Sequence, residues 1–300
     1  MRIGLLGTGP WARMAHAPAL AGHDRVDFVG VWGRRPEAAK ELADHHGVRA
    51  YDDVDALLAE VDAVAVALPP DVQAELAVRA ARAGRHLLLD KPLAIAPEQA
   101  RAVVEAARET GVASVVFFTT RFGTGTESWI TEQAATDGWF TARAQWLAAL
   151  FTPGSGGRPA GDSPFAASPW RREKGALWDI GPHALSVLLP VLGDARRVAA
   201  AAPGPGDTVH LVLDHTGGAS STVTLSLTAP PEAAGATVEL RGSAGVAVLP
   251  DGDEGIVPTL ARAVDALREA AGTGRPHACD AAFGLRVTEI LAEAEALLGS

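Results

Sequence analysis

Three consecutive residues, Asp90-Lys91-Pro92, have types and an order suited to chemistry on a substrate oxygen. A lysine ammonium can stabilise charge developing on that oxygen, and it can pass a proton where burial depresses its pKa. The triplet follows Leu87-Leu88-Leu89, which reads as a buried strand, and precedes a helical pattern that starts at Pro97. In open α/β sheets, ligands bind in the crevice outside the carboxyl ends of the strands, and Lys91 would stand there. Proline also bars a helix from starting at Lys91. An isolated D-K-P is more often a solvated turn, because lysines are mostly exposed, so its neighbours must decide.

A second pair, Asp179 and His183, is spaced four apart and would share one face of a helix. A carboxylate there could orient an imidazole for proton transfer near neutral pH, or could bond a substrate hydroxyl. The alternative is structural, with Asp179 capping the helix and His183 packed in the core. His210 and Asp214 fall on one strand face, but no third ligand has sensible spacing, so no metal is expected.

The elements that must position these residues follow from the pattern. Arg2–Leu6 reads as a strand running into Gly7-Thr8-Gly9-Pro10-Trp11-Ala12 and then a helix to about Leu20. That is a G-x-G-x-x-G/A fingerprint in strand–turn–helix context, with a helix N-terminus to meet a pyrophosphate. The next strand, Val26–Trp32, ends at Gly33-Arg34-Arg35 rather than at the acid that bonds an NAD ribose. Two arginines suit a 2′-phosphate, so NADP is favoured over NAD. Further strands (49–51, 63–68, 86–89, 113–119) alternate with helices (36–46, 54–60, 71–83, 97–110), the pattern of a parallel doubly wound sheet. The loop containing Leu68 and Pro69 should line the cofactor crevice.

After Thr120 the pattern changes. The long Gly/Pro/Ser-rich segment Phe151–Lys174 suggests a binding loop or lid. Gly175–His183 leads into a helix to about Leu192, and five strands follow between 197 and 249. Thr222–Leu227 alternates Ser/Thr with apolar residues, as in an antiparallel sheet with one covered face. Helices 257–271 and 280–298 complete the chain.

Three hundred residues suit two domains. With 36 acidic and 26 basic residues, the net charge of −10 argues against nucleic-acid or membrane partners. The lone Cys279 rules out an internal disulfide. No apolar run reaches the roughly 18 residues needed to span a bilayer, and no leader is evident, so a cytoplasmic protein is expected.

Gly7-Thr8-Gly9, Ala67-Leu68-Pro69-Pro70 and Gly84–Pro92 together resemble the Gfo/Idh/MocA oxidoreductases, the glucose-fructose oxidoreductase and inositol dehydrogenase family. Asp90-Lys91-Pro92 is similar to the family's Glu-Lys-Pro motif. Gln73 departs from it, standing where the family often has histidine, a change expected to touch only pocket detail. Gly175–His183, with Pro169-Trp170-Arg171 upstream, resembles the family's second-domain motif, in which an Asp and a His meet the substrate.

The resemblance implies an α/β protein of two parts. Residues 1–120 would form a Rossmann domain on a doubly wound parallel sheet, and 121–300 a substrate-binding and oligomerisation domain on an open, mostly antiparallel sheet. It implies hydride transfer between nicotinamide and a hydroxyl-bearing carbon of a sugar, cyclitol or similar polyol, and a homodimer or homotetramer through the second sheet. Expected cofactor contacts are Gly7, Thr8, Gly9, Pro10, Trp11, Gly33, Arg34, Arg35, Leu68, Pro69, Asp90 and Lys91. Lys91, Asp179 and His183 are the catalytic candidates, and Arg121, Trp170 and Arg171 join Asp179 and His183 as substrate candidates. A non-catalytic NAD(P)-binding regulator, or a redox-neutral enzyme recycling a tightly held cofactor, are the alternative readings.

Overall fold

A computed structural model describes residues 1–152, 165, 168–252 and 254–299. In chain order it begins β1 (Arg2–Leu6), α1 (Ala17–Ala21), β2 (Asp27–Trp32), α2 (Pro36–His46), β3 (Arg49–Tyr51) and α3 (Val54–Glu60). Then come β4 (Ala63–Val66), α4 (Pro70–Arg82), β5 (His86–Asp90), α5 (Pro97–Thr110) and β6 (Ser114–Phe117). Beyond them lie α6 (Thr124–Ala134), β7 (Trp139–Leu147), α7 (Pro169–Asp179) and α8 (Gly181–Leu192). The chain ends with β8 (Ala195–Pro203), β9 (Val209–His215), β10 (Ser220–Ser226), β11 (Gly235–Gly242), β12 (Gly245–Val248), α9 (Ile256–Thr273) and α10 (Ala281–Leu298).

Two compact units result. One is Met1–Phe122 with Glu254–Thr288, the other Gly123–Asp253 with Glu289–Ser300. Helix α9 and the start of α10 thus belong with the first sheet, whereas the sequence assigned all of 121–300 to one domain.

The first unit is a parallel sheet in the order β3-β2-β1-β4-β5-β6. The order reverses direction at β1/β4, which creates the switch-point crevice of a doubly wound fold. Leu87, Leu88 and Leu89 are fully buried, because both faces of β5 are covered. Each such leucine contributes about 1.5–3 kcal/mol by leaving water. Proline opens α2, α4 and α5 in the first turn, where its missing N–H costs no hydrogen bond. Gly47 and Gly111 close α2 and α5 in the left-handed conformation. Helix α9 packs on α1, β5 and β6.

Between the glycine-rich turn and α1, Ala12–His16 winds as a π-helical turn. It carries His16, which is fully buried beside the Trp11 backbone. Burial lowers its pKa from 6.5 to about 4. The unfolded chain therefore binds more protons than the folded one between those values. The stabilisation, about 3 kcal/mol, is complete above the unfolded pKa and is lost as pH falls toward the folded one. Thermal unfolding followed across that range should show His16→Leu losing less Tm on acidification than the wild type, and parallel curves would refute this. His23 has a side chain only 6% exposed that meets Asp265 at 3.2 Å.

The second unit holds a sheet in the order β12-β11-β7-β10-β9-β8. Its pairings are antiparallel except β10 with β7, which is parallel. Helix α8 packs on β7 and β10 and is buried along nearly its whole length. Gly181 opens it where a Cβ would come within 3.0 Å of Leu291 and 3.2 Å of Leu225. Together Pro169–Leu192 is long and apolar enough to cross a bilayer by composition, but 83% of its apolar window is buried inside the fold. The long loop expected over Phe151–Lys174 falls largely outside the described residues, and its end, from Pro169, is helical.

Candidate functional site

In the first unit the expected cofactor residues gather at the carboxyl edge of the parallel sheet. Gly7 leaves β1 at φ +132°, a conformation open to glycine, and donates its N–H to the Trp32 carbonyl at 2.8 Å. That bond brings the ends of β1 and β2 together. A Cβ on Gly33 would meet the Thr8 side chain at 2.6 Å, so the end of β2 must be compact here. Beside Gly9 a Cβ would find no atom within 4 Å. The backbone is thus open to a phosphate group, and the residues fit a dinucleotide. Arg34 and Arg35 follow Gly33, both exposed, and neither side chain has a hydrogen bond or ion pair among the described residues.

Leu68 and Pro69 form the turn from β4 into α4, and both are half-buried. Asp90 ends β5, and its carboxylate accepts the Lys91 N–H at 2.8 Å. Lys91 is half-buried and the Lys91–Pro92 bond is cis. Strand order β1-β4-β5 sets β5 two strand spacings, roughly 10 Å, from the glycine turn. Arg121 lies in the short 3₁₀ turn after β6, with its guanidinium 5.9 Å from the Phe283 ring centroid.

In the second unit Trp170, Arg171 and Asp179 belong to α7 and His183 to the first turn of α8. Asp179 and His183 are therefore not on one uninterrupted helix, because Ile180 separates the two. Gly175 adopts φ 60° and ψ −159° inside α7, a conformation that favours glycine. Arg171 donates from Nε to Asp179 Oδ2 at 3.1 Å and stacks on Trp170 at 4.8 Å. Asp179 is only 6% exposed, so this charged contact is largely shielded from solvent. Below it, Glu295 accepts from Lys174 Nζ and Trp178 Nε1, each at 3.0 Å, which fixes the C-terminal half of α7.

His183 lies nearly parallel to Trp146 of β7, with ring centroids 6.0 Å apart and planes at 14°. Neither the Arg171–Asp179 pair nor the Trp146 platform was legible from spacing. Nor was the contact between Gln73 and the lysine loop. Gln73 is buried on α4 and bonds the backbone on either side of Lys91. His210 Nδ1 meets Thr224 Oγ1, and Asp214 pairs with Arg197.

Comparison with known proteins bears on both units. Residues 1–118 match the model of an oxidoreductase family with an NAD-binding Rossmann fold. Residues 154–248 match the GFO/IDH/MocA C-terminal domain. Inositol 2-dehydrogenase of Rhizobium meliloti is 36% identical over 41% of this chain and 37% of its own length. A dTDP-3,4-didehydro-2,6-dideoxy-alpha-D-glucose 3-reductase of Streptomyces violaceoruber is 32% identical over 67% of this chain and 57% of its own. The matches thus span from about a third to just over half of these relatives. Among solved structures, the WlbA dehydrogenase of Bordetella pertussis, in complex with NADH and UDP-GlcNAcA, superposes with a TM-score of 0.83. That match covers 100% of this chain and 97% of the other at 22% identity, a likeness of fold.

Proposed function

The chain belongs to the GFO/IDH/MocA family of NAD-binding oxidoreductases, and from that premise we propose that it moves a hydride between a nicotinamide and the hydroxyl-bearing carbon of a sugar, cyclitol or related small polyol. The observation that carries this reading is the alignment of the Gly7–Trp11 turn and Lys91 along one carboxyl edge of the parallel sheet. The names of the relatives, a cyclitol dehydrogenase and a sugar-nucleotide reductase, support the substrate class.

Bound nicotinamide supplies the hydride chemistry, and the chain supplies binding, orientation and a proton path. Gly7, Thr8, Gly9, Pro10 and Trp11 would hold the pyrophosphate, while Leu68, Pro69 and Asp90 would border the nicotinamide. Lys91 bonds the reacting oxygen and stabilises the charge that develops there. His183 is the general acid/base, held by its Trp146 platform. Asp179, oriented by Arg171, bonds a neighbouring substrate hydroxyl or orients the histidine. Trp170 and Arg121 contribute to substrate contact. Incubation with oxidised dinucleotide and a panel of cyclitols, aldoses and nucleotide sugars, followed by nicotinamide absorbance, tests the reading. Cofactor binding with no turnover on any of them would count against it.

NADP is the preferred cofactor in this proposal, supported by the two exposed guanidiniums after Gly33. Charge-assisted bonds of about 1.5–3 kcal/mol predict that Arg34→Ala with Arg35→Ala weakens NADP binding by about 10–100-fold and changes NAD binding little. Fluorescence titration of both dinucleotides checks it, and an equal loss for the two would favour NAD. The proposal also includes a cytoplasmic homodimer or homotetramer formed through the open face of the second sheet.

A further inference from the structure

We propose that Gln73 is a positioning residue for Lys91, its carboxamide replacing the peptide that β4 does not provide. The inference rests on the assignment of Lys91 to the reacting oxygen.

In β5 the N–H groups alternate between neighbours. Leu87 N–H goes toward β6, bonding Ala113 O at 2.9 Å. His86 N–H goes the other way, bonding Asp62 O at 3.1 Å at the start of β4. Asp90, four residues beyond His86, faces the β4 side as well. There β4 has already ended at Val66, and its register with β5 stops at Ala65 opposite Leu88. With no β4 peptide opposite them, the Asp90 N–H and C=O need a partner from elsewhere in the fold.

Gln73 supplies both partners. Its Oε1 accepts the Asp90 N–H at 2.8 Å, and its Nε2 donates to Asp90 O at 2.7 Å. The same NH₂ reaches Pro92 O at 3.1 Å and Leu93 O at 3.3 Å. The chain is therefore gripped immediately before and immediately after Lys91. Gln73 is only 1% exposed, and its own N–H bonds Pro69 O at 2.8 Å, tying the clamp to the turn that follows β4. A carboxamide suits this task because it both donates and accepts, and it does so at every pH.

Gln73→Glu is the discriminating variant. It keeps size and the acceptor for Asp90 N–H, but when ionised it turns an oxygen toward three carbonyl oxygens. Protonation returns one donor. Burial raises the pKa of such a carboxyl, so the change falls within a working pH range. Displacement of a reacting group by about 1 Å can cost about 10²-fold, so kcat should fall by about 10–100-fold on the alkaline side and recover on acidification. Dinucleotide affinity should stay close to wild type. Hydrogen exchange across residues 88–94 should follow the same ionisation.

A wild-type pH profile with wild-type exchange would overturn the proposal, as would a lower Tm with unchanged kcat and exchange. If Gln73→Glu does not fold, Gln73→Met, similar in size but with no hydrogen-bond donor, should lower kcat at all pH values and speed exchange in 88–94. Normal kcat and exchange in that variant would equally overturn it. Should the wild type turn over no polyol, the catalytic reading fails while the exchange measurement still decides whether Gln73 holds the loop.

Discussion

Lys91→Ala should lower kcat by about 10²–10⁴-fold, the range lost when a donor to a developing oxyanion or a proton-transfer group is removed. The dinucleotide's Kd should change little, because the Gly7–Trp11 turn and Arg34–Arg35 are made by other elements of the sheet edge. The loop itself should survive: Asp90 still bonds the backbone N–H of residue 91, and Gln73 still bonds Asp90, Pro92 and Leu93. The loss is thus expected in the chemical step, with equal reductions in kcat and kcat/KM for a substrate whose binding does not depend on the ammonium. Lys91→Arg would keep the charge but not the point-donor geometry, and it should recover little activity. Stopped-flow single turnovers with a verified polyol separate chemistry from product release. Unchanged turnover in Lys91→Ala would remove the lysine from the mechanism and leave the family fold with another use.

The first sheet was legible in the sequence because its signals are local. Buried parallel strands read as short apolar runs, and Pro and Gly mark the helix ends, so α2 and α5 lie where the pattern put them. Helix α6 was missed: TGTESWITEQA has little apolar periodicity, and only Thr126, Ile130 and Gln133 are buried. The parallel pairing of β10 with β7 was hidden too, since alternation fixes which face a residue takes and not the partner strand. The membership of α9 in the first unit has no local signature either, because its amphipathic stripe fits any apolar surface.

The candidate site divides the same way. Gly7, Gly9 and Lys91 sit at strand ends that local pattern can locate. The contacts that hold the reactive groups join residues far apart in the chain. Trp146 and His183 come from β7 and α8, while Gln73 and Asp90 come from α4 and β5. Gln73 looked like a departure of small consequence because a side chain that replaces a strand peptide has no sequence signature. Only the early end of β4 reveals the need for it.

His183→Ala should cost about 10²–10⁴-fold in kcat if the imidazole carries the proton, as expected for loss of a positioned general acid/base. In the oxidation direction the imidazole must be neutral to accept, so an acidic limb in the wild-type kcat/KM should report its protonation. That limb should vanish in the variant. Geometry makes the ring a credible carrier: it is half-buried in the first turn of α8, and Trp146 lies nearly parallel to it, which limits its rotation. The Arg171 guanidinium beside Asp179 means that the carboxylate has a cationic partner of its own. Asp179 is then better suited to hold a substrate hydroxyl than to share a proton. Comparison of the two single variants apportions the work. If His183→Ala keeps the acidic limb and loses under about 10-fold, the proton leaves through Lys91, and the histidine only binds. If each variant alone loses nearly as much as the two together, oxygen and proton are handled as one unit, the pattern of groups that act in a single step.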